Sequence, residues 1–405
     1  MRRLLLLACL LLAACAGSPR VALAPRAVAP VPPVILVSID GFRAEYLSRG
    51  LTPNITALAA SGVRATAMRP SFPSVTFPNH YTLVTGFRPD RNGIVNNDMT
   101  DPAIPNVRFA MSNRAAVGDG RWWDDVDPVW VTAEQAGKRT ATMFWPGSEA
   151  AIHGVRPAQW LAFDGAMPDD TRVDTVLGWL DDPRHFAFLT LYFDGVDHIG
   201  HDFGPDSPEI DAALAAVDTR IGRLRAGLAA RGIIANIVIV SDHGMTAIAP
   251  DRVIRIDRLL SHDRFTMIGG WALAGITPLP GEDSAVAAAL LGRRDHMQCW
   301  RKADFPKRFH YGNNRRIAPI LCLADGGWVI LDREPKKPVA GGAHGYDNFL
   351  PDMAAIFVGN GPAFRSAVTL PAFDNVDVYP LLLKLLGLPP RASDGRIEPV
   401  RAALR

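Results

Sequence analysis

The sequence has few cysteines, no surplus of charge of either sign and no long apolar run. Its 405 residues include only four cysteines, which is too few for a small disulfide-framed scaffold. Lys and Arg number 43 against 41 Asp and Glu, so bulk charge predicts no specific nucleic-acid partner. No apolar run reaches the about 20 residues that cross a bilayer. The composition, 48% hydrophobic and 21% charged, is that of a globular protein with a large core.

The first residues are typical of a secretory signal peptide. Two arginines precede the apolar run 4–14, which is followed by small residues. The segment Leu-Ala-Ala-Cys15 resembles the bacterial lipobox, in which the cysteine is diacylated and becomes the new N-terminus. We therefore expect a lipoprotein signal peptide over 1–14, and a lipidated Cys15 with a Pro/Ala-rich tether over 15–33. The alternative is a plain signal peptide with an incidental cysteine.

This start predicts an exported, periplasmic protein anchored to a membrane through lipid. By resemblance to lipoprotein sorting signals, Ala16 after the cysteine favours the outer membrane of a Gram-negative bacterium. Two cysteines, Cys299 and Cys322, remain outside the signal and lipobox. An oxidising compartment favours a disulfide between them, and two buried free thiols are the alternative.

Buried strands alternate with helices along the rest of the chain. Short apolar runs rich in β-branched residues predict strands at Val34–Ile39, Phe186–Phe193, Asn236–Ser241, Gly327–Leu331 and Ala354–Val358. This alternation predicts an α/β fold with a mostly parallel central sheet and helices on both faces.

Apolar periodicity predicts a helix over 208–230, with Ser207 as its N-cap. A second helix is predicted over 375–386 with Asp374 as its cap, although Pro380 falls in its second turn. Segments near 100–150 and 262–345 are less periodic. We interpret them as insertions that cap the site.

Acidic residues and histidines follow the predicted strands. Asp40 follows the first strand, and Asp242-His243 follows another. The segment from Asp194 to His201 follows a third, and a later loop contains His344. A single Asp after a strand is often only a helix cap or turn residue. Four such places, three with histidine, predict a metal cluster beyond the carboxyl ends of the strands, with zinc-type ligands.

The candidate nucleophile is Thr76, in the segment Phe-Pro-Ser-Val-Thr76-Phe-Pro-Asn-His-Tyr. Pro78 suits the first turn of a helix that runs to about Thr85 and is closed by Gly86. Thr76 would then lie at a helix N-terminus, where free N–H groups favour phosphate. Metal coordination can activate a threonine hydroxyl. The alternative is that Thr76 merely caps the helix.

Together these motifs resemble the nucleotide pyrophosphatase/phosphodiesterase family of the alkaline phosphatase superfamily. The resemblance covers about residues 34–390. It depends on eight segments: Val-Ser-Ile-Asp40-Gly-Phe-Arg, Thr52-Pro-Asn-Ile, the Thr76 segment, Gly93-Ile-Val-Asn-Asn97, Asp197-His-Ile-Gly-His201-Asp-Phe-Gly-Pro, Ser-Asp242-His243-Gly-Met, His344-Gly-Tyr-Asp-Asn and Val-Tyr379-Pro-Leu. The family implies an alkaline-phosphatase-like fold and a catalytic domain over 34–395.

The resemblance implies two zinc ions per chain. One would be held by Asp40, Thr76, Asp242 and His243. The other would be held by Asp197, His201 and His344.

Spacing alone does not separate Asp197 and His201 from Asp194 and His198, because both pairs are four residues apart. The family places Gly just before the histidine, which selects His201. Asp194 and His198 then support the site or are structural. We interpret His80, His153 and His185 as ordinary core or surface residues.

The family mechanism implies in-line attack by Thr76 and a covalent phospho-threonine ester that water hydrolyses. Asn97 would donate to a phosphate oxygen, and a plain turn residue is the alternative. Phe77 and Trp160 would stack on a nucleobase. The sequence has Trp160 where the family usually has Tyr, which leaves the base preference open. The expected products are a nucleoside 5′-monophosphate and pyrophosphate or a second nucleotide.

Three other functions remain open at this stage. Phosphonoacetate-type hydrolases share the two-zinc site and the threonine. A phospholipid or choline phosphodiesterase would suit a lipid-anchored enzyme. A non-catalytic zinc-dependent binding protein would need the metal ligands but no turnover.

Overall fold

A computed structural model describes residues 31–405. The predicted signal peptide, the lipidation site Cys15 and most of the tether lie outside the described residues. Within 31–405, no helix is both long and apolar enough to span a membrane. The described strands are β1 Val34–Ile39, β2 Val63–Ala65, β3 Met68–Arg69, β4 Asp98–Thr100, β5 Arg108–Ala110, β6 Thr140–Met143, β7 Gln159–Trp160, β8 Phe188–Phe193, β9 Asn236–Val240, β10 Thr246–Ala247, β11 Val253–Arg255, β12 Phe265–Gly270, β13 Leu273–Pro278, β14 Gly292–Arg294, β15 Met297–Arg301, β16 Ile320–Ala324, β17 Val329–Leu331, β18 Gly342–Ala343, β19 Phe357–Asn360, β20 Val368–Leu370 and β21 Phe373–Asp374.

Helices occupy both long and short segments of the chain. The described α-helices are α1 Pro53–Ser61, α2 Thr76–Thr85, α3 Pro89–Asn92, α4 Arg114–Val117, α5 Val129–Gln135, α6 Asp169–Trp179, α7 Gly195–Phe203, α8 Pro208–Ala230, α9 Asp283–Leu290, α10 Val378–Leu385 and α11 Glu398–Arg401. Short 3-10 helices lie at Ala44–Arg49, Gly120–Trp122, Ile256–Arg258, His262–Arg264, Lys302–Asp304, Lys307–Phe309, Pro351–Met353 and Asn375–Asp377.

An eight-stranded sheet forms the centre of the fold, in the order β20-β2-β19-β9-β1-β8-β6-β7. The five strands from β9 to β7 are parallel to one another. Strand β19 is antiparallel to both β9 and β2. The six residues of β1 are all buried, because helices cover both faces of the sheet. The predicted α/β fold with a mostly parallel sheet is therefore confirmed.

Alternate residues of β1 enter separate apolar cores on the two faces. Val34 and Leu36 share a core with residues of α2, α5 and α10. Ile35 and Val37 share the other with residues of α1, α6 and α8. The period of two along a strand places successive side chains on opposite faces.

Two predicted helices differ in how well they match the structure. The helix at 208–230 has the predicted bounds, and Ser207 Oγ accepts from the N–H of Ile210. The helix predicted from Asn375 begins at Val378 after a 3-10 turn. Pro380 then lies in the first turn, where its missing N–H costs no helical hydrogen bond. The Asp374 side chain caps nothing and instead accepts from Arg69 and Arg88.

Two other assignments are corrected by the sheet topology. The predicted insertion near 100–150 ends in β6, which pairs with β8 inside the central sheet. No apolar run marks this strand, because two of its four residues are threonines, which are polar although they favour strands. The strand predicted at Gly327–Leu331 forms only at β17. It pairs with β11 outside the central sheet.

The segment predicted as an insertion at 262–345 contains a second, antiparallel sheet of five strands, β12-β13-β16-β15-β14. Cys299 in β15 faces Cys322 in β16, and the two form a disulfide. The predicted disulfide is therefore confirmed. It joins neighbouring strands of this sheet.

Candidate active site

Three adjacent strands of the central sheet bring the predicted metal ligands together. β1 runs into Asp40, β9 runs into Asp242 and His243, and β8 leads into α7, which carries Asp197 and His201. Because these strands are parallel, their carboxyl ends meet at one edge.

The loop after β18 brings the last predicted ligand, His344, to the same edge. β18 pairs with β10, which follows His243 in the chain. His344 Nε2 lies 3.1 Å from His201 Nε2 and 3.7 Å from Asp197 Oδ1. His201 Nε2 lies 3.4 Å from Asp197 Oδ2. These three side chains form one compact group that could hold a metal ion.

A second group surrounds His243. Its Nε2 lies 3.0 Å from Asp242 Oδ2, 3.5 Å from Asp40 Oδ1 and 3.4 Å from Thr76 Oγ1. All four residues are at least nine-tenths buried. The structure thus gathers the other predicted ligand set around a single imidazole.

Buried oxygen atoms without partners show that both groups fit cations. Asp40 Oδ1, Asp197 Oδ1 and Asp242 Oδ2 are buried and have no hydrogen-bond partner within residues 31–405. A buried carboxylate oxygen without a partner is costly, and a cation removes that cost. Carboxylate oxygen and imidazole nitrogen are a ligand set that zinc prefers.

The three histidines present the same nitrogen to the site. Nδ1 of His201, His243 and His344 lies 2.9 Å from the carbonyl oxygens of Gly342, Gly244 and Ser74, respectively. A carbonyl only accepts, so each Nδ1 carries the proton and each Nε2 offers a lone pair. Two such lone pairs face each other between His201 and His344. A shared cation satisfies both, and the carbonyls orient the rings.

Burial and crowding strongly affect protonation in this cluster. Burial, together with the charges of Asp242 and Asp197, raises the pKa of Asp40. Burial and the neighbouring His243 and His201 lower the pKa of His344. The protein alone thus disfavours a charged Asp40 and a charged His344. Bound cations would favour the ionised carboxylates and the neutral imidazole ligands.

Thr76 is the first residue of α2 and is 4% exposed. The helix has Pro78 in its first turn and ends at Thr85 before Gly86, as predicted, and its N-cap position is occupied by Val75. Thr76 is therefore not the cap residue of this helix. Its hydroxyl points at His243 Nε2, at the positive end of the helix dipole.

Asn97 lies beside the nucleophile candidate. Its Oδ1 accepts a 2.8 Å hydrogen bond from the backbone N–H of Phe77. Because the amide oxygen is engaged, the NH2 group is the part of the side chain that can donate to a ligand.

An aromatic cavity of about 290 Å³ adjoins this helix end. Its lining includes Phe77, Phe163, Trp145 and Tyr192. Phe163 is 38% exposed and is the aromatic that the sequence interpretation missed.

Trp160, which was predicted to stack on a base, does not line this cavity. It lies in β7, and the guanidinium of Arg156 covers its ring at 5.4 Å. The role of Trp160 in base stacking stays a prediction. Two aromatics, Trp160 and Phe163, stand three residues apart in this segment. The fold turns the second of them, Phe163, toward the cavity.

Two further residues near the site were not predicted. The Tyr192 hydroxyl donates a 2.6 Å hydrogen bond to Asp40 Oδ2. His80, interpreted from the sequence as an ordinary residue, is fully buried with its Nε2 2.8 Å from Ser38 Oγ and its Nδ1 2.9 Å from the Thr76 carbonyl. It lies on α2 one turn after Thr76, a spacing that could have indicated this contact.

The other predicted supporting residues lie outside the cluster. Asp194 accepts a 2.7 Å hydrogen bond from the buried Arg172, and His198 is exposed beside Asp202. His153 and His185 are also exposed. The geometry therefore places Asp197 and His201, rather than Asp194 and His198, among the other ligands.

A mostly parallel α/β sheet that ends in clustered carboxylates, imidazoles and a helix-terminal threonine defines a hydrolase of alkaline-phosphatase-like fold with a metal site. The family model described as Type I phosphodiesterase / nucleotide pyrophosphatase matches residues 34–347. The chain belongs to this family.

The chain can be aligned with known relatives over most of their length. An uncharacterized pyrophosphatase/phosphodiesterase of Schizosaccharomyces pombe is 39% identical over 385 residues, covering 90% of this chain and 79% of the relative. Human ectonucleotide pyrophosphatase/phosphodiesterase family member 5 is 36% identical, with coverages of 88% and 74%. A bis(5′-adenosyl)-triphosphatase of Xenopus laevis is 34% identical, with coverages of 92% and 82%.

Solved structures show the same fold. Murine ectonucleotide pyrophosphatase/phosphodiesterase 5 matches with a TM-score of 0.89 and 35% identity, covering 92% of this chain and 100% of the other. A second structure of that protein is an inactive threonine-to-alanine variant in complex with AMP, with the same score and coverage.

Proposed function

We propose that this protein hydrolyses nucleotide phosphodiester or phosphoanhydride bonds to nucleoside 5′-monophosphates, with Thr76 as nucleophile and two zinc ions as cofactors. The observation that carries this proposal is the position of Thr76 Oγ1. It lies at a helix N-terminus, 3.4 Å from His243 Nε2 in one ligand group, and beside an aromatic cavity. Helix end, metal ligands and cavity thus converge on one hydroxyl.

One zinc would be held by Asp40, Thr76, Asp242 and His243, and the other by Asp197, His201 and His344. When bound, two such ions supply Lewis acidity for the phosphoryl oxygens and for the attacking and leaving oxygens. The Nδ1 hydrogen bonds of the three histidines keep their rings aimed at the ions.

The reaction proceeds through two displacements at phosphorus. Thr76 Oγ1 loses its proton to water and forms an ester bond to phosphorus, while the bond from phosphorus to the leaving oxygen breaks and that oxygen keeps the bonding electron pair. Water then attacks the phospho-threonine, releases the 5′-monophosphate and restores the threonine hydroxyl. The Asn97 amide N–H and the backbone N–H of Thr76 stabilise the charge on the phosphoryl oxygens.

The cavity favours a nucleoside over the small substrates of the alternative functions. Phe77 and Phe163 offer aromatic faces at the cavity wall, and stacking on a base is worth about 1–3 kcal/mol. The AMP complex of the murine relative supports this interpretation. A cationic choline headgroup could also contact these aromatic faces, but a free carboxylate beside them would be needed to balance its charge. The one carboxylate of the cavity lining, Glu149, is already paired with Arg114.

Export from the cytoplasm is part of the proposal. Several relatives carry "ectonucleotide" in their names, and two are venom phosphodiesterases. The predicted signal peptide and lipidated Cys15 give this chain a route to the periplasm and the outer membrane. A disulfide between Cys299 and Cys322 suits that compartment.

The deciding experiment compares hydrolysis of p-nitrophenyl thymidine 5′-monophosphate with that of p-nitrophenyl phosphate. Wild type, Thr76→Ala and the control Thr219→Ala, at an exposed site on α8, are assayed with and without a chelator. We expect chelator-sensitive diester hydrolysis in wild type and Thr219→Ala only, with about two zinc ions bound per chain by elemental analysis.

Other results would contradict parts of the proposal. Preference for the monoester would assign the chain to phosphatase activity. Turnover of phosphonoacetate or of choline phosphodiesters, with no hydrolysis of the nucleotide diester, would support the corresponding alternative. Bound zinc without turnover of any of these substrates would support a binding protein.

A further inference from the structure

A basic groove of about 750 Å³ lies near the C-terminal end of the described chain. Its lining contains only one acidic residue, Glu398. The groove is lined by six cationic residues: Arg365, Lys384, Arg391, Arg396, Arg401 and Arg405. This excess of positive charge in the groove contrasts with the nearly equal numbers of basic and acidic residues in the whole chain.

Among residues 31–405, five of these six cations have no carboxylate partner for the side chain. Glu398 is paired with Arg401 at 2.7 Å. Within residues 31–405, no carboxylate oxygen lies within 4.0 Å of the side-chain nitrogens of Lys384, Arg391 or Arg396, and all three side chains are exposed. The Asp377 carboxylate contacts only the backbone N–H of Arg396, at 2.7 Å.

Elsewhere on the surface, exposed arginines are commonly paired. Arg223 donates to both oxygens of Asp174, and Arg301 donates to both oxygens of Asp283. The groove thus gathers positive charge that the fold leaves available to an external anion.

The groove is separate from the catalytic site. The N–H of Asp394, between two lining residues, donates to the carbonyl of Gly86, which directly follows α2. Thr76 begins that ten-residue helix, so the two ends stand ~15 Å apart at 1.5 Å per residue.

The first described residues of the domain enter beside the groove. The Pro33 carbonyl accepts from the N–H of Asn236, whose Oδ1 accepts from the N–H of Ala363. The Ala363 carbonyl in turn accepts from the N–H of Arg405, which lines the groove. β1 starts at this end of the sheet and runs away from it to Asp40, so the catalytic edge is the opposite one.

We propose that this groove is a docking surface for a membrane that carries anionic phospholipid headgroups. Each Lys or Arg near such a surface strengthens binding about fivefold. The exposed Pro389 and Pro390 beside the cations give the groove an apolar rim. Docking through it would place the catalytic edge away from the lipid, open to substrates in solution. The inference does not depend on the reaction at Thr76.

The test uses the full chain with Cys15→Ser, so that no acyl chain contributes to binding. Its sedimentation with vesicles of phosphatidylcholine and phosphatidylglycerol is compared with that on pure phosphatidylcholine. We expect binding to the anionic vesicles only, weakening as salt is added. The added changes Lys384→Glu and Arg391→Glu should lower the partition coefficient at least about tenfold.

The matched control carries Lys336→Glu and Lys337→Glu, two exposed lysines that line a different surface cavity. We expect it to bind anionic vesicles within about twofold of the parent, because these lysines lie outside the groove. Both variants should have the circular dichroism spectrum and the thermal unfolding midpoint of the parent, which shows that they are folded.

Several results would overturn the proposal. One is an equal loss of vesicle binding in the groove variant and in the control variant. The others are equal binding of the parent to neutral and anionic vesicles, and no binding of the parent to any vesicle. Loss of vesicle binding in millimolar inorganic phosphate, but not in another salt at the same ionic strength, would make the groove a phosphate pocket instead. Binding to a DNA oligonucleotide without vesicle binding would assign the groove to nucleic acid.

Discussion

The backbone N–H of Phe77 donates a 2.8 Å hydrogen bond to Oδ1 of Asn97, and this bond sets the side-chain orientation beside the nucleophile. With its oxygen engaged, the Asn97 amide can turn only its NH2 group toward a phosphoryl oxygen. This contact therefore predicts that the NH2 group of Asn97 acts on the substrate, while its oxygen only holds Phe77.

Asn97→Asp should lower kcat for the nucleotide diester by about 100-fold or more, since it keeps the acceptor for Phe77 but replaces the donor with an anionic oxygen. Asn97→Ala should lower kcat by a similar or smaller factor. Steady-state kinetics on p-nitrophenyl thymidine 5′-monophosphate measure both. An Asn97→Asp enzyme with wild-type kcat would mean that the amide only positions Phe77.

Phe163→Ala should raise KM for nucleotide diesters by about tenfold, because it removes an aromatic face of the cavity. Trp160→Ala should leave KM within about twofold, since that ring lies outside the cavity against Arg156. KM for bis(p-nitrophenyl) phosphate, which has no base, provides the comparison. A larger effect of Trp160→Ala than of Phe163→Ala would restore the original sequence interpretation.

Tyr192→Phe should weaken metal retention about 10- to 100-fold, because the lost hydroxyl donates to the Asp40 carboxylate. The side chain is buried, so the phenyl ring of the variant keeps most of the packing. Titration with a chelator, followed by elemental analysis, measures the loss without an activity assay. Trp145 lines the same cavity and is hydrogen-bonded to none of the predicted metal ligands, so Trp145→Phe serves as the control. Equal metal retention in wild type and Tyr192→Phe would refute this role.

The buried pair of Arg316 and Asp101 should make stability depend on acid pH. Arg316 donates to the carbonyl of Gly93 and to Asp101, on either side of the loop that carries Asn97. Although burial raises the pKa of Asp101, hydrogen bonds from Arg315 and Arg316 outweigh it and lower the pKa from 3.8 to about 2. A lowered folded pKa stabilises the protein above about pH 4, and that contribution is lost between about pH 4 and pH 2.

Asp101→Asn should therefore reduce the free energy of unfolding by about 2 kcal/mol or more at neutral pH. The difference from wild type should shrink as the pH falls toward about 2. Urea unfolding at several pH values measures it, and taking the difference cancels groups that titrate alike in both proteins. A difference that stays constant with pH would show that the Asp101 carboxylate gains nothing from ionisation in the fold.

The sequence by itself determined the features whose signals lie within one short segment. The apolar run Val34–Ile39 followed by Asp40 predicts both a buried strand and an acid at its end, and the structure has both. The capped pattern of 208–230 predicts α8 with the correct bounds. These signals are local because the period of a strand or helix and the chemistry of a cap depend on neighbours along the chain.

Only the tertiary structure decided which distant segments meet. Trp160 and Phe163 are equivalent as sequence, and packing alone turned Phe163 to the cavity. β6 joined the central sheet despite its threonines because β8 offered a buried partner. The six cations of the basic groove are spread over residues 365–405 without a common motif, and the folding of this segment gathers them. Pairing and packing between distant segments select among many locally equivalent arrangements, which no short stretch of sequence specifies.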